Sequence, residues 1–461
     1  MLILKFGGTS VGSAEAIRRV CKIIQSRLPQ QPVVVTSAVG GVTNKLVALA
    51  QLAGAGEKNK AGALLDEIVQ QHQDIISELR LSENKNFVSA FQGGVEMLKT
   101  AVNSIFSNGE LNDELYDSVI CMGEYFAAHL LPAVLGTMNI QSEMTDARRL
   151  LLTDSTFGAA RPMFDESKKR VRDILVPLVN KGIVPIIQGF IGSDFQGRTT
   201  TLGRGGSDFS ATLFGAMLGV KTVEIWSDVD GVLTADPSLV DEAHRIRYMS
   251  FQEAAELAYF GAKVLHPATL VPADEHDITV VVLNSMNPNF YGTAISNAYP
   301  VDPVREGQVK SIAYKEGLTV ITVTSSRMLM AHGFMARLFS IFDKYETAVD
   351  LVSTSEVTVS LTIDNTRNLQ LIMTELREFA QIKVEENKAI VCLVGEGLKR
   401  RKGIPGQIFG LLQDTHIYSI SQGASEINLS FVIDEKKLPK VITRLHDYFF
   451  NRELDPHVLA V

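Results

Sequence analysis

Between Thr199 and Asp208 the chain reads T-T-T-L-G-R-G-G-S-D, a set of residue types suited to holding an anion. Gly205 and Gly206 let the backbone approach a ligand closely, because no Cβ intervenes. Arg204 offers a planar fork for a carboxylate or phosphate. Ser207 and Asp208 stand where the cap of a helix over Phe209–Leu218 would stand. Amides at a helix start lack intrahelical partners and carry the positive end of the dipole, so anions bind there. An ordinary glycine-bearing turn with a cap has the same composition. The N-terminus argues against coincidence, because Lys5 is followed by a second such turn, Gly7-Gly8-Thr9-Ser10.

The elements that must position these residues are legible from periodicity. Residues 2–6 (L-I-L-K-F) form a short apolar strand. A helix capped by Ser13 follows, with Glu15 in its first turn and Ile17, Val20, Cys21, Ile24 and Leu28 on one face. Pro29 and Pro32 end it, and the strand Val33–Ser37 empties into Ala38–Asn44, a small-residue turn containing Thr43. The strand Val184–Gly189 precedes the Arg204 turn. Unbroken valine and isoleucine runs in βαβα order predict a parallel sheet buried on both faces. Ligands in such sheets sit beyond the carboxyl ends of the strands, so Lys5, Gly7–Ser10, Ser37–Thr43 and Arg204 are expected to share one rim.

Residues 61–135 read as long helices. His72 on one of them is a packed or surface histidine. Gly123-Glu124 follows the apolar stretch Val119–Met122; the glutamate is either exposed or buried facing a ligand. The strand Thr222–Trp226 leads to Ser227-Asp228-Val229-Asp230-Gly231. Two close aspartates suit Mg2+, but D-x-D-G turns are common without a metal, and no residue is assigned as a metal ligand. A helix Phe251–Phe260 leads to Gly261-Ala262-Lys263, His266-Pro267 opens another, and Thr279–Leu283 is a strand. Asn287–Pro303, rich in Pro, Asn and Gly, reads as a linker. Beyond residue 308 a βαββ order recurs in two units of roughly 75 residues, which suggests an internal duplication of a ferredoxin-like unit. In the first, Leu318–Val323, Val349–Val352 and Glu356–Ile363 are strands and Gly333–Tyr345 a helix. In the second, Ala389–Val394, His416–Ile420 and Glu426–Ile433 are strands, with helices Gly406–Gln413 and Leu438–Phe449.

Bulk properties bound the function. At 461 residues several domains are expected. A net charge of −8 gives a nucleic-acid partner no electrostatic support. The basic run Lys399–Lys402, flanked by glycines, reads as a solvated loop. Three well-separated cysteines in apolar surroundings fit reduced thiols in a cytosolic protein. No apolar run approaches the roughly 18 residues needed to span a bilayer, and no signal peptide precedes the first strand, so a cytoplasmic location is expected.

Neither a Walker-type G-x-x-x-x-G-K-[ST] nor a G-x-G-x-x-G after the first strand is present. What remains is several glycine turns, three placed cations (Lys5, Arg204, Lys263) and few general bases. That balance suits phosphoryl transfer, in which positioning and charge neutralisation do most of the work. A carboxylate acceptor, already ionised at neutral pH, needs no base.

Three motifs in order now carry a family likeness. K-F-G-G-T-S at Lys5–Ser10, T-T-L-G-R-G-G-S-D at Thr200–Asp208 and F-G-A-K-V-L-H-P at Phe260–Pro267 resemble those of aspartate kinases, over nearly the whole chain. The likeness is nearest to the monofunctional, lysine-sensitive type, since the sequence leaves no room for a fused homoserine dehydrogenase. The resemblance implies an α/β fold: an amino-acid-kinase αβα sandwich with a mainly parallel central sheet over residues 1–295. Two ferredoxin-like (βαββαβ) ACT-type regulatory units would follow, at 308–386 and 387–461, with interlocking allowed.

It further implies transfer of the γ-phosphate of ATP, with Mg2+, to the side-chain carboxylate of L-aspartate. Lys5 with Gly7 and Gly8 would meet the phosphates, Lys263 and Val264 the nucleotide, and Asp208 would orient the lysines. Arg204, Thr43, Glu124 and Ser207, with Ser37 beside them, would hold aspartate, Glu124 facing its ammonium. The nucleotide segment departs from the family's T-D-V-x-G-x-Y-T-x-D-P-R. Ser227 replaces Thr, Leu233 replaces Tyr and Ser238 replaces Arg, which removes a stacking or packing surface and a cation near the nucleotide; Ser227 and Asp228 remain ATP contacts, and Leu233 and Ser238 stand at the matching ATP-binding positions. The effector, lysine by resemblance, would meet Met328, Gly333, Phe334, Met335, Val349, Asp350, Ser355 and Glu356, the two acids facing its ammonium groups; the apolar members also suit a plain core. A homodimer or higher assembly is implied. Two alternatives stay open: another carboxylate kinase of the same fold, and a catalytically weak amino-acid sensor.

Overall fold

The computed structural model describes residues 1–261, 265–298, 308–328, 332–423 and 425–451. They cluster into two units, one of 1–232, 247–251 and the stretch from 264 to 299, the other of 233–246, 252–263 and the chain from 300 onward.

In chain order, β1 (Leu2–Phe6), α1 (Ala14–Arg27), β2 (Pro32–Thr36), α2 (Val42–Gly54), α3 (Lys58–Glu78), α4 (Lys85–Asn108), α5 (Asp113–Ile120) and α6 (Met122–Thr137) come first. Then follow β3 (Ser142–Thr145), α7 (Phe164–Asn180), β4 (Val184–Gln188), β5 (Ile191–Ser193), β6 (Thr199–Thr201), α8 (Gly206–Leu218) and β7 (Thr222–Ser227). After them come β8 (Tyr248–Met249), α9 (Phe251–Tyr259), α10 (Pro267–Glu275), β9 (Thr279–Asn284) and β10 (Thr293–Ile295). The first unit is an αβα layer structure on an eight-stranded sheet ordered β3-β4-β2-β1-β7-β9-β10-β8. Its pairings are parallel except β9 with β10. β1, β2 and β4 are buried along their whole length, which is why they read as unbroken apolar runs.

The cap of α1 forms as expected, Ser13 Oγ accepting the Ala16 amide at 3.2 Å. The expected linker Asn287–Pro303 instead contains β10, which joins the sheet between β9 and β8. Three residues are too few to show periodicity, and the strand fits because Gly292 has no Cβ: one built there would lie 1.6 Å from Val282 O. The segment Asp113–Thr137 is long and apolar enough to cross a membrane, unlike the expectation from uninterrupted runs. Here 72% of its most apolar window is buried inside the protein, as in the core helix of a globular unit. His72 is a core residue, its Nδ1 2.8 Å from Ile68 O and its ring 4.8 Å from that of Phe126. Cys21, Cys121 and Cys392 are all buried and unpaired.

The second unit continues with β11 (Ser311–Thr324), α11 (Phe334–Lys344), β12 (Val352–Thr354), β13 (Thr358–Ile363), α12 (Leu369–Leu376) and β14 (Gln381–Val394). α13 (Ile404–Leu411), β15 (Ile417–Gln422), β16 (Asn428–Asp434) and α14 (Leu438–Phe450) complete it. Rather than each repeat having a sheet of its own, all six strands form one antiparallel sheet, β12-β13-β11-β14-β16-β15. The predicted Leu318–Val323 and Ala389–Val394 are halves of β11 and β14, which run side by side through both repeats. One half of each strand packs into a core with Leu338, Phe342 and Ile372, the other into a core with Ile408, Phe431 and Ile442. Between them the register shifts around Gly317, whose φ of +72° is left-handed. The expected strand Val349–Val352 contributes only Val352 to β12.

Candidate active site

β1 lies between β2 and β7, and its carboxyl end opens into Gly7-Gly8. The Gly7 amide donates to Trp226 O at 3.0 Å, which seats this turn against the end of β7. A Cβ on Gly8 would stand 3.0 Å from Ala38 O, so the turns after β1 and β2 touch backbone to backbone. Lys5 is 7% exposed, and its Nζ pairs with Asp208 at 2.5 Å. A buried cation without a partner is costly, and the carboxylate of Asp208 offsets that cost.

The Arg204 turn differs from the expected cap. Ser207 and Asp208 are not caps; Gly205, at φ +74°, precedes α8, which begins at Gly206 and places both in its first turn. The backbone needs glycine at 205 twice over, since a Cβ would also meet His266 Cβ at 2.4 Å. Gly41, at φ +81°, plays the same part before α2 and puts Thr43 in that helix's first turn. Two helix N-termini therefore face one cleft of about 580 Å3, lined by Lys5, Gly8, Ser37, Thr43, Glu124, Arg204, Ser207 and Asp208 among others. The shared rim expected for Lys5 and Arg204 is present.

Glu124, in the first turn of α6, is buried at 3% exposure. Its Oε1 accepts the Ala38 amide at 3.1 Å, while Oε2 has no partner among the described residues. Burial pushes the carboxyl up to about 7; hydrogen bonds from the backbone and the charge of Lys5 oppose the rise. A cation delivered to Oε2 would restore its ionisation.

Two residues that carry the site escaped the sequence reading. Asp117 of α5 is fully buried and accepts Gly158 N at 2.9 Å, Thr201 N at 2.8 Å and Thr201 Oγ1 at 2.7 Å. It fixes both the 158 turn and β6, the strand that delivers Arg204. Burial raises its carboxyl and the three hydrogen bonds pull it back. Asp117→Ala should lower stability by at least about 3 kcal/mol, seen as a fall in the urea midpoint, because three donors lose their acceptor. Phe190 lines the cleft in a left-handed conformation, φ +71°, its ring packed against Gly206. Backbone strain of this kind concentrates at functional sites.

On the other side of β1, Ser227 ends β7, and its O accepts the Ser285 amide at 2.8 Å and the Ser285 hydroxyl at 3.0 Å. Ser285 in turn meets Ser10 at 2.8 Å. Asp228 is exposed, and Asp230 accepts Asn284 Nδ2 at 2.8 Å. Leu233 and Ser238 belong to the second unit. There Leu233 O accepts Ser311 Oγ at 2.8 Å, and Ser238 donates twice to Asp236 Oδ1. Lys263 and Val264 lie outside the described residues.

Of the predicted effector residues, Met328, Phe334, Met335 and Val349 are half-buried against the core of the first repeat. Gly333 precedes α11 at φ +84°. Ser355 and Glu356 are exposed in the turn between β12 and β13. The Asp350 carboxylate is paired inside the chain, with Lys315 Nζ at 2.6 Å.

The geometry thus joins a buried cation, two helix starts, an arginine fork and an under-satisfied carboxylate around one cleft. Such a set can hold a small zwitterionic acid by both charges and steady an anion beside it. Residues 1–284 match the amino acid kinase family and residues 391–449 the ACT domain. The lysine-sensitive aspartokinase 3 of Escherichia coli (strain K12) is 36% identical over 460 residues, 98% of this chain and 99% of that one. Aspartokinase 1, chloroplastic, of Arabidopsis thaliana is 34% identical over 467 residues, 97% of this chain and 80% of that one. Among solved structures, E. coli aspartokinase III in complex with aspartate and ADP (R-state) is similar with a TM-score of 0.84 and 36% identity, over 98% of this chain and 100% of that one. Its complex with lysine and aspartate (T-state) gives 0.81 at the same identity, over 98% and 99%. This chain belongs to the aspartokinases of the amino acid kinase family.

Proposed function

We propose that the protein is an aspartate kinase, transferring the γ-phosphate of ATP to the side-chain carboxylate of L-aspartate to give 4-phospho-L-aspartate. The supporting observation is that Lys5, Arg204 and Glu124, whose Oε2 has no partner among the described residues, line one cleft. Glu124 takes the ammonium of aspartate, and Arg204 a carboxylate, with Thr43 and Ser207 beside it. The side-chain carboxylate is ionised at neutral pH. Its oxygen forms a bond to the γ-phosphorus as the bond to the β,γ-bridging oxygen breaks, and ADP leaves. Lys5 neutralises charge on the transferring phosphoryl group, and Asp208 keeps the lysine aimed. Mg2+ travels with the nucleotide, held mainly by phosphate oxygens.

The reading extends to an entry step of lysine, threonine and methionine synthesis in the cytoplasm, with lysine as inhibitor. It includes a homodimer or larger assembly and a division into a kinase part and two regulatory repeats. Initial rates of ADP release with MgATP test it. Aspartate should be turned over, glutamate should not, and lysine should inhibit where threonine does not. Turnover of glutamate alone would reassign the acceptor, and no turnover with any acidic amino acid would leave an amino-acid sensor.

A further inference from the structure

α9 ends at Tyr259, and the sequence continues Phe260-Gly261-Ala262-Lys263. Glutamates in its first and second turns make polar anchors. Glu253 accepts Lys310 Nζ at 2.8 Å and the Glu396 amide at 2.9 Å, and Glu256 accepts Asn428 Nδ2 at 2.7 Å. The last residue makes a contact of another kind. The Tyr259 hydroxyl donates to Asp350 Oδ1 at 3.2 Å. Lys315 Nζ reaches the same oxygen at 2.6 Å and lies 5.7 Å from the centre of the tyrosine ring. Lys315 also pairs with Asp364 at 2.7 Å, so its charge is shared between two carboxylates.

Asp350 is thereby used on one side only. Its side chain is 3% exposed, yet Oδ2 has no hydrogen-bond partner among the described residues. A buried carboxylate oxygen without a donor is costly and marks a place where a ligand can supply one. The chain just after Tyr259 is pressed against the strand that bears Lys315. A Cβ on Gly261, at φ +93°, would stand 2.8 Å from Tyr314 O. A change in the grip on Tyr259 therefore acts close to the point where Gly261 meets the strand of Lys315.

We propose that Asp350 is a two-sided relay. Oδ2 accepts an ammonium of the effector, and Oδ1 holds Tyr259, so that occupancy of the effector site is read at the end of α9, four residues before Lys263 in the sequence. This rests on the reading of lysine as effector and of Lys263 as a nucleotide contact. An ammonium at Oδ2 draws the carboxylate charge toward itself and crowds the Lys315 cation, which weakens the bond to the tyrosine hydroxyl. Tyr259 is then a coupling residue, not a binding one.

Coupling is reciprocal: whatever factor lysine imposes on nucleotide affinity, nucleotide imposes on lysine affinity, typically about 5- to 150-fold. Tyr259→Phe removes only the hydroxyl and keeps the ring over Lys315. The test is calorimetric titration of the full-length protein with lysine, without and with saturating MgADP, alongside lysine inhibition of turnover. In the wild type, nucleotide should shift the lysine Kd by a factor in that range. In Tyr259→Phe the Kd without nucleotide should stay within about threefold of wild type, the shift should shrink toward one, and inhibition should be blunted to match. The same shift and inhibition in the variant would overturn the relay. So would loss of lysine binding in a variant whose circular dichroism and Trp226 emission are unchanged, since Tyr259 would then belong to the binding site. A wild type that binds lysine with no nucleotide shift would overturn the relay alone. A wild type that binds no lysine would overturn the effector reading, and the relay with it.

Discussion

Lys5→Ala should lower kcat for ADP release by roughly 10²–10³-fold, the scale of losing one fixed charge-stabilising donor from a water-poor site. The side chain leaves the centre of the sheet, where Lys5 pairs in register with Val35 and Ile225, and only its tip reaches the cleft. The strand positions paired with it, Val35 and Ile225, are apolar and supply no second cation. The loss has two parts. The developing charge on the phosphoryl oxygens goes unneutralised, and Asp208, bereft of its partner at 2.5 Å, presents a bare carboxylate to the phosphates. Lys5→Ala with Asp208→Ala should therefore be less impaired than the two single losses combined, since residues in one ion pair do not add independently. Lys5→Arg should recover part of the rate, because it restores charge but spreads it over a planar fork. The KM for aspartate should move little, as Arg204 and Glu124 are untouched. The sole tryptophan gives the folding control: Trp226 is buried with its ring stacked on Phe6, 6.2 Å centre to centre. A kcat within threefold of wild type, with that emission unchanged, would remove Lys5 from the chemistry.

Lys5 and the two glycine turns were legible because their cause is local. Strands buried on both faces must be apolar, so a lysine in one stands out, and glycines at strand ends mark backbone that has to pass close to something. Where the reading failed, the cause lay far along the chain or in a rarer geometry. Ser and Asp are generic cap residue types, but the bend before α8 is made by Gly205 in a left-handed conformation under His266, a contact no local pattern contains. Asp117 carries no local signal, because its partners Gly158 and Thr201 lie far along the chain. β11 and β14 read as shorter strands because Glu316-Gly317 and Glu385-Glu386-Asn387 look like ends. They are the middle of each strand, where the sheet passes from one core to the other and those residues stay half-buried or exposed. Glu124 could be read either way from sequence. Its burial depends on Gly123, where a Cβ would lie 2.6 Å from Ala38 Cβ, bringing α6 against the turn after β2.

Glu124→Gln should raise the KM for aspartate by about 10²-fold at pH 8, the scale of breaking a buried, hydrogen-bonded charge pair, with a much smaller effect on the KM for ATP. The pH dependence separates this from a packing defect. Burial holds the free carboxyl near 7, and only its ionised form attracts an ammonium. As pH falls below about 7 the wild-type KM for aspartate should climb about tenfold per unit, and above 7 it should level off. The glutamine variant should show a high KM without that bend. Stability should move the other way. The folded state holds its proton up to about 7, whereas the unfolded carboxyl releases it at its ordinary, lower value. Folding therefore takes up a proton between those two values, and the stability associated with Glu124 declines as pH rises through that window. At about 1.4 kcal/mol per unit, the cost above pH 7 approaches about 3 kcal/mol. Glu124→Gln, which keeps an oxygen for the Ala38 amide, should then match the wild type at low pH and be more stable at pH 8. A variant less stable at pH 8 and with an unchanged KM for aspartate would place Glu124 in the scaffold. A variant that gains stability as it loses aspartate identifies a carboxylate kept at a folding cost for the charge it presents to substrate.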